Sequence, residues 1–171
     1  MKFTETQKLH QPWIFVVLGI IFAIFAWAFI QQIILGEPFG NNPAPDSILI
    51  ISFLIPVLLL AALLFGRMVT RVDEEGIYIK VKPFMFKWKY IPFTDITSYH
   101  STEYSPIGDY GGWGIRLTFK GSRAYNARGN KGVKLMLKKG RHIMIGSAKP
   151  DILEKAIYSL SGLEPLRPKE S

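Results

Sequence analysis

The stretch Ser105-Pro106-Ile107-Gly108-Asp109-Tyr110-Gly111-Gly112-Trp113-Gly114 sets two aromatic side chains among four glycines. Glycine admits sharp turns and lets another surface approach the backbone closely, so Tyr110, Gly111, Gly112, Trp113 and Gly114 form a candidate interaction patch. The plainer reading, a long hairpin with Trp113 folded into the core, is the preferred one. A second set is cationic. Arg67, Arg71, Lys80, Lys82, Lys87 and Lys89 follow an apolar stretch closely enough to face a lipid headgroup layer, where each cation is attracted to anionic lipid. A third, Arg128-Gly129-Asn130-Lys131-Gly132, offers amides and cations to an anion, although a plain hairpin turn explains it better.

None of these sets composes a reaction centre. The chain has no P-loop, no His-Glu-x-x-His helix, no Gly-x-Ser-x-Gly elbow and no Gly-x-Gly-x-x-G phosphate cradle. His10, His100 and His142 are scattered, and His142, beside Lys139-Gly140-Arg141, reads as a solvated surface residue. With no cysteine, disulfides and thiolate metal sites are excluded. The expectation is no enzyme, with no catalytic residue, cofactor or metal.

The elements that must position these residues fall into two kinds. Trp13 to Leu35 is uncharged and, as a helix, reaches roughly 34 Å; Ser47 to Phe65 reaches about 28 Å, against a hydrocarbon core of about 30 Å. Neither has the polar stripe of a soluble core helix, and the first is too long for a signal peptide and lacks its small-residue cleavage site. The loop Gly36–Asp46 holds three prolines and no Lys or Arg; Gly36 suits a left-handed helix end, and Asp46 or Ser47 a helix start. Pro56 predicts a kink in the second span. Gly19 and Ala23 in the first span match Ala62 and Gly66 in depth and would let the helices approach. Lys2 and Lys8 before the spans, and Arg67 and Arg71 after them, predict that both termini are cytoplasmic.

After Gly66 the chain becomes charged. The net charge is +8, and 19 of the 21 cations lie from Arg67 onward against ten acidic residues, so this part alone carries about +9. Period-two alternation takes over: Ile77, Ile79 and Val81; Ile115, Leu117 and Phe119; Val133, Leu135 and Leu137; Ile143 and Ile145. Each reads as a strand with one buried face. With less regular strands at Phe84–Tyr90, Ile96–Glu103 and Arg123–Ala127, the expected count is about seven. Pro150–Leu160 reads as an amphipathic helix ended by Gly162, with Ile152, Leu153, Ala156, Ile157 and Leu160 as its apolar stripe. The expected organisation is an N-terminal tail over 1–12, a two-span hairpin over 13–66 (spans 13–35 and 47–65), a β-rich domain over 67–163 and a disordered tail over 164–171.

Seven short strands and a C-terminal helix placed directly after a two-span hairpin resemble the bacterial pleckstrin-homology-like domains of small membrane proteins, an uncharacterised family. Val72-Asp73-Glu74-Glu75-Gly76-Ile77, Ile91-Pro92-Phe93-Thr94-Asp95-Ile96, Tyr110-Gly111-Gly112-Trp113-Gly114-Ile115-Arg116 and Gly146-Ser147 carry the likeness. It implies a membrane hairpin plus an α+β, mainly-β domain: a seven-stranded sandwich or barrel capped by a helix. Eukaryotic pleckstrin-homology domains that hold phosphoinositides use a basic loop between their first two strands, whereas the turn that the resemblance sets there is acidic, Asp73-Glu74-Glu75-Gly76. No binding residue carries over.

The leading functional expectation is a membrane-tethered interaction module in the cell membrane, multi-pass, with a protein partner or self-association. The alternatives are an electrostatic lipid-docking or lipid-sensing surface, for which membrane lipids are the partner, and an accessory subunit of a membrane enzyme or transporter. The last is weakest, because neither span carries an ionisable residue to mark a pathway. A nucleic-acid partner is not expected, because the cations are spread over several strands with no recognition helix.

Overall fold

The structure is a computed structural model, and it describes residues 2–9, 12–118, 121–138 and 140–166. The chain divides into two units, His10–Phe65 and a second built from both sides of it, Met1–Leu9 together with Gly66–Ser171. His10, Phe119 and Lys139 lie outside the described residues.

The first unit is a helical hairpin. Helix α1, Pro12–Phe29, runs on through a wider turn over Ile30–Ile34, where the Leu35 N–H reaches back to the Ile30 carbonyl at 3.0 Å. Helix α2 is Asp46–Phe65. Both are long and apolar enough to cross a membrane, and side chains such as Trp27, Ile34 and Leu58 are left exposed. Gly36 adopts the left-handed conformation expected of a helix end, with φ 74°. Asp46 opens α2, but its carboxylate accepts from the Gln32 side chain at 2.7 Å, and the same amide donates to the Ala44 carbonyl at 2.7 Å. That pair of bonds straps the loop across the hairpin. The small-residue approach expected at Gly19 is not made: a side chain there would meet nothing within 4 Å. Phenylalanines bridge the helices instead, with Phe29 stacked on Phe53 at 4.8 Å and Phe22 tilted against it at 5.7 Å. Bulky rings keep the backbones apart where glycine would have let them close.

The second unit has nine strands among the described residues, two more than expected, in two open sheets. The first sheet joins β1 (Phe3–Lys8), β2 (Arg67–Val72), β3 (Gly76–Lys82) and β4 (Lys89–Pro92) in that order, all antiparallel. The second joins β5 (Ile96–Glu103), β8 (Lys131–Leu137), β9 (His142–Gly146), β7 (Arg123–Asn126) and β6 (Gly114–Leu117) in spatial order. Its β7–β9 pair is parallel and the rest antiparallel. A short helix α3, Pro106–Tyr110, precedes β6, and helix α4, Pro150–Ser161, closes the unit. The main core draws on both sheets and α4, through residues such as Met68, Ile79, Leu135, Ile145, Leu153 and Ile157.

Several sequence expectations are corrected here. The N-terminal segment is a strand, not a tail. Phe3 and Gln7 turn inward, Gln7 donating to the Gly146 carbonyl at 2.9 Å, while Glu5 accepts from Ser147 Oγ at 2.6 Å and the Ala148 N–H at 2.9 Å. Polar residues on the buried side conceal the alternation. The connection between the first two strands is therefore the whole helical hairpin, and the acidic turn Asp73–Gly76 joins the second and third. Phe84–Trp88 is a loop, and the fourth strand begins only at Lys89. Strand β6 lacks the buried face its alternation promised: Ile115 is exposed and Leu117 is 69% exposed. It is the edge of the sheet furthest from β5 and β8, against which α4 packs. Ile152 drops out of the α4 stripe and is exposed, while Leu153, Ala156 and Ile157 are buried. Beyond Gly162 the chain is still tied down, with the Tyr99 hydroxyl donating to the Leu163 carbonyl and the Leu166 N–H to the Tyr99 carbonyl, each at 2.7 Å. Of the expected disordered tail, residues 167–171 lie outside the described residues.

Candidate functional site

Register decides what the cations do. Lys8, Arg67 and Lys82 are direct cross-strand partners on β1, β2 and β3, so they form one row across the first sheet. Because Met68, Thr70 and Val72 on β2 and Ile77, Ile79 and Val81 on β3 are buried, the alternate residues Arg67, Arg71, Lys80 and Lys82 share the opposite, outer face. The row lies at the end of the sheet where the chain leaves and re-enters, since the Leu9 N–H donates to the Gly66 carbonyl at 3.0 Å.

The β3–β4 loop starts from the same end. Pro83 to Trp88 follows Lys82, and here Phe84 and Trp88 are exposed and Phe86 is 91% exposed, with Lys87 exposed between the last two rings. Lys80 lies over the Trp88 ring at 5.8 Å, a cation–π contact that draws the loop onto the cationic face. Aromatic side chains of this size are rarely left in water without a use.

The six expected cations therefore separate. Arg67, Lys80 and Lys82 share one face near one end, with Lys87 in the loop beside them. Arg71 lies toward the other end and is already engaged, 3.0 Å from the Asp73 carboxylate and 5.9 Å from the Tyr78 ring centre. Lys89 is the partner of buried Ile79, so its side chain follows the opposite side of the ladder. Lys8 joins the row, and sequence reasoning missed it because it seemed to belong to a tail. The alternation of aromatic and lysine residues over Phe84–Tyr90 was the visible signal of the loop, but it reads equally well as a strand.

The glycine-rich segment divides. Ser105 caps α3, its hydroxyl accepting from the Gly108 N–H at 3.0 Å and its own N–H donating to Asp109 Oδ2 at 2.8 Å. Gly111, Gly112 and Gly114 all take positive φ, which turns the chain out of α3 into β6. Tyr110 is directed inward against the second sheet, 3.2 Å from His142 Nε2. Trp113 is half-buried and is not a core residue: its indole N–H donates to the Gly129 carbonyl at 3.0 Å, bracing the turn after β7. That turn is not a plain hairpin, because β7 and β8 are not neighbours; Arg128–Asn130 crosses β9 between them. Lys131 there is spent on Glu103 at 3.1 Å.

His142 is also corrected, from a solvated residue to a half-buried one. Its Nδ1 is 3.0 Å from Ser122 Oγ, and burial together with the Lys134 charge lowers its pKa, so the ring is neutral at pH 7. Among the described residues no group of three His, Asp or Glu side chains is arranged to hold a metal.

No curated protein matches the chain. One family model does, over residues 1–162, a stretch that begins ahead of β1, takes in both helices and both sheets, and ends with α4 and its glycine cap. The match takes in nearly the whole chain, and the chain belongs to the Family of unknown function (DUF6141).

Proposed function

We propose that this is an integral membrane protein whose β-rich domain, on the cytoplasmic side, is an interaction module that docks on the anionic leaflet beside its own anchor. One observation carries the reading: the cross-strand row Lys8–Arg67–Lys82 and the exposed loop Phe84–Trp88 occupy the same end of the first sheet, the end from which the chain departs toward two apolar helices. Cations near an anionic leaflet contribute about 1 kcal/mol each, and aromatic rings favour the headgroup level. A tether removes most of the association cost, so a few such contacts suffice.

The PH-like reading of the domain rests on the four antiparallel strands of the first sheet, the antiparallel trio β5, β8 and β9 of the second, and α4 packed against β5 and β8. On that reading the β6–β7 hairpin is an addition to the expected seven strands. The role is one of binding, without catalysis.

Orientation rests on Lys2, Lys8, Arg67 and Arg71 flanking a cation-free loop. A cysteine placed at Asn41 should react with an impermeant thiol reagent on intact cells, whereas one at exposed Asn130 should react only after lysis; the reverse pattern would overturn the topology.

Docking is tested with a nitroxide at Phe86→Cys, a unique label in a chain without cysteine. In nanodiscs containing anionic lipid, the label should be more accessible to oxygen than to a water-soluble nickel chelate. In zwitterionic nanodiscs, or with Lys8, Arg67, Lys82 and Lys87 replaced by Gln, that preference should reverse. Water-like accessibility in the anionic discs would reject docking.

A further inference from the structure

The face of the second sheet that points away from the main core carries an open cavity of about 570 Å³, with Tyr104 and the α3 residues Asp109 and Tyr110 on its wall. Its floor follows from register. His100 on β5, Lys134 on β8 and Met144 on β9 are successive cross-strand partners, and the next row is Thr102, Gly132 and Gly146. Gly146 is required there, since a Cβ would lie 2.7 Å from the Asn126 side chain and 3.0 Å from the Tyr104 hydroxyl. Tyr104 and Tyr110 form the wall, with ring centres 5.8 Å apart, edge to face.

The cavity has polar groups with nothing to bond. Tyr104 is 9% exposed, and its hydroxyl has no hydrogen-bond partner among the described residues; neither has His100 Nδ1. Burial raises the Tyr104 pKa and the nearby Asn126 amide offsets part of that rise, but no hydrogen bond of adequate geometry joins them. Inaccessible polar atoms without partners are costly, and their presence against a cavity is informative.

Charge points the same way. Of the two carboxylates on the wall, Glu103 is paired with Lys131 and Asp109 accepts the Ser105 N–H. Lys134, at the centre of the floor, has no ion pair among the described residues. Tyr110 contributes a hydroxyl held beside His142. His142 Nδ1 lies 3.0 Å from Ser122 Oγ and Nε2 lies 3.2 Å from the Tyr110 oxygen, which fixes the Tyr110 hydroxyl at the wall. In the tautomer with its proton on Nε2, the ring donates to that oxygen and the Tyr110 hydroxyl can donate to a ligand.

The geometry points to a binding site for a small organic anion, a carboxylate or phosphate ester, held by the Lys134 ammonium and by the hydroxyls of Tyr104 and Tyr110. The site is independent of lipid docking, which uses the first sheet. Calorimetric titration of the full chain in zwitterionic nanodiscs tests it with phenyl phosphate, benzoate and neutral benzyl alcohol. At least one anion should bind saturably and roughly tenfold or more tighter than the alcohol, the phosphate and carboxylate arms deciding which oxyanion is preferred. Lys134→Gln should remove that advantage and Tyr104→Phe should weaken the anion several-fold, both with unchanged melting behaviour, while Lys80→Gln with Lys82→Gln should leave the affinity intact. Absence of saturable binding by both anions, equal binding of the alcohol, or an affinity indifferent to both cavity substitutions would overturn the assignment.

Discussion

Phe3→Ala is expected to destabilise the β-rich domain by about 3–5 kcal/mol, the cost of emptying a buried aromatic site. The residue lies in the third position of the chain, where a substitution would ordinarily be harmless. Here Phe3 is 7% exposed and belongs to the main core. Its strand pairs with β2 through six consecutive partners, from Phe3 with Val72 to Lys8 with Arg67. The strand also crosses to the other sheet: Gln7 bonds the Gly146 carbonyl, and Glu5 takes both Ser147 and Ala148 just ahead of α4. Against a typical domain stability of about 5–15 kcal/mol, the loss is about a fifth or more. Denaturant unfolding of the domain should show it, with Thr4→Ala, on the exposed side of the same strand, as the control. A Phe3→Ala change no larger than that of Thr4→Ala would mean that β1 does not belong to the cooperative unit.

The same strand marks where reading the sequence runs out. The two long apolar helices, β3, β5, β8, β9 and α4 were legible because their signals are local: uncharged length for the helices, period-two alternation at Ile77–Val81, Val133–Leu137 and Ile143–Ile145, and a Pro-to-Gly bounded amphipathic run for α4. Strand β1 has no such signal, since Glu5 and Gln7 occupy inward-turned positions and find their partners more than a hundred residues away. The opposite error arose at Phe84–Trp88, where alternation is present without burial, because the chain after Lys82 forms a loop whose rings point into solvent. Trp113 was misplaced for a related reason: a large apolar ring predicts core, yet its indole nitrogen is what the Gly129 carbonyl uses. The candidate cationic set was legible in composition but not in geometry. Only the ladder brings Lys8 beside Arg67 and Lys82 and commits Arg71 to Asp73. The cavity on the second sheet was invisible because its groups come from separate strands and acquire a common face only through register.

Replacing residues 10–65 by the dipeptide Asn-Gly should yield a water-soluble, monomeric protein with the two-sheet fold intact. The ladder ends with Lys8 opposite Arg67, and the Leu9 N–H donates to the Gly66 carbonyl. That is the bond pattern which flanks a two-residue hairpin loop, and Asn-Gly supplies the positive φ values such a loop demands. No core residue of the β-rich unit is lost, since its buried cluster lies outside the replaced segment. Closing the sheet through two residues also costs less chain entropy than closing it through the hairpin. What disappears is the exposed apolar surface of the two long helices. The shortened protein should sediment as a monomer, melt cooperatively, and retain slow hydrogen exchange at the Glu5, Gln7 and Thr70 amides, which point into the ladder between the first two strands. It should still associate with anionic vesicles at low salt and release as salt rises, because the cationic row and the Phe84–Trp88 loop remain while screening shortens the reach of their charge. A shortened chain that aggregates or exchanges those amides freely would show that β1 and β2 need the helices to meet. A folded chain that ignores anionic vesicles would leave the fold standing and remove the docking surface.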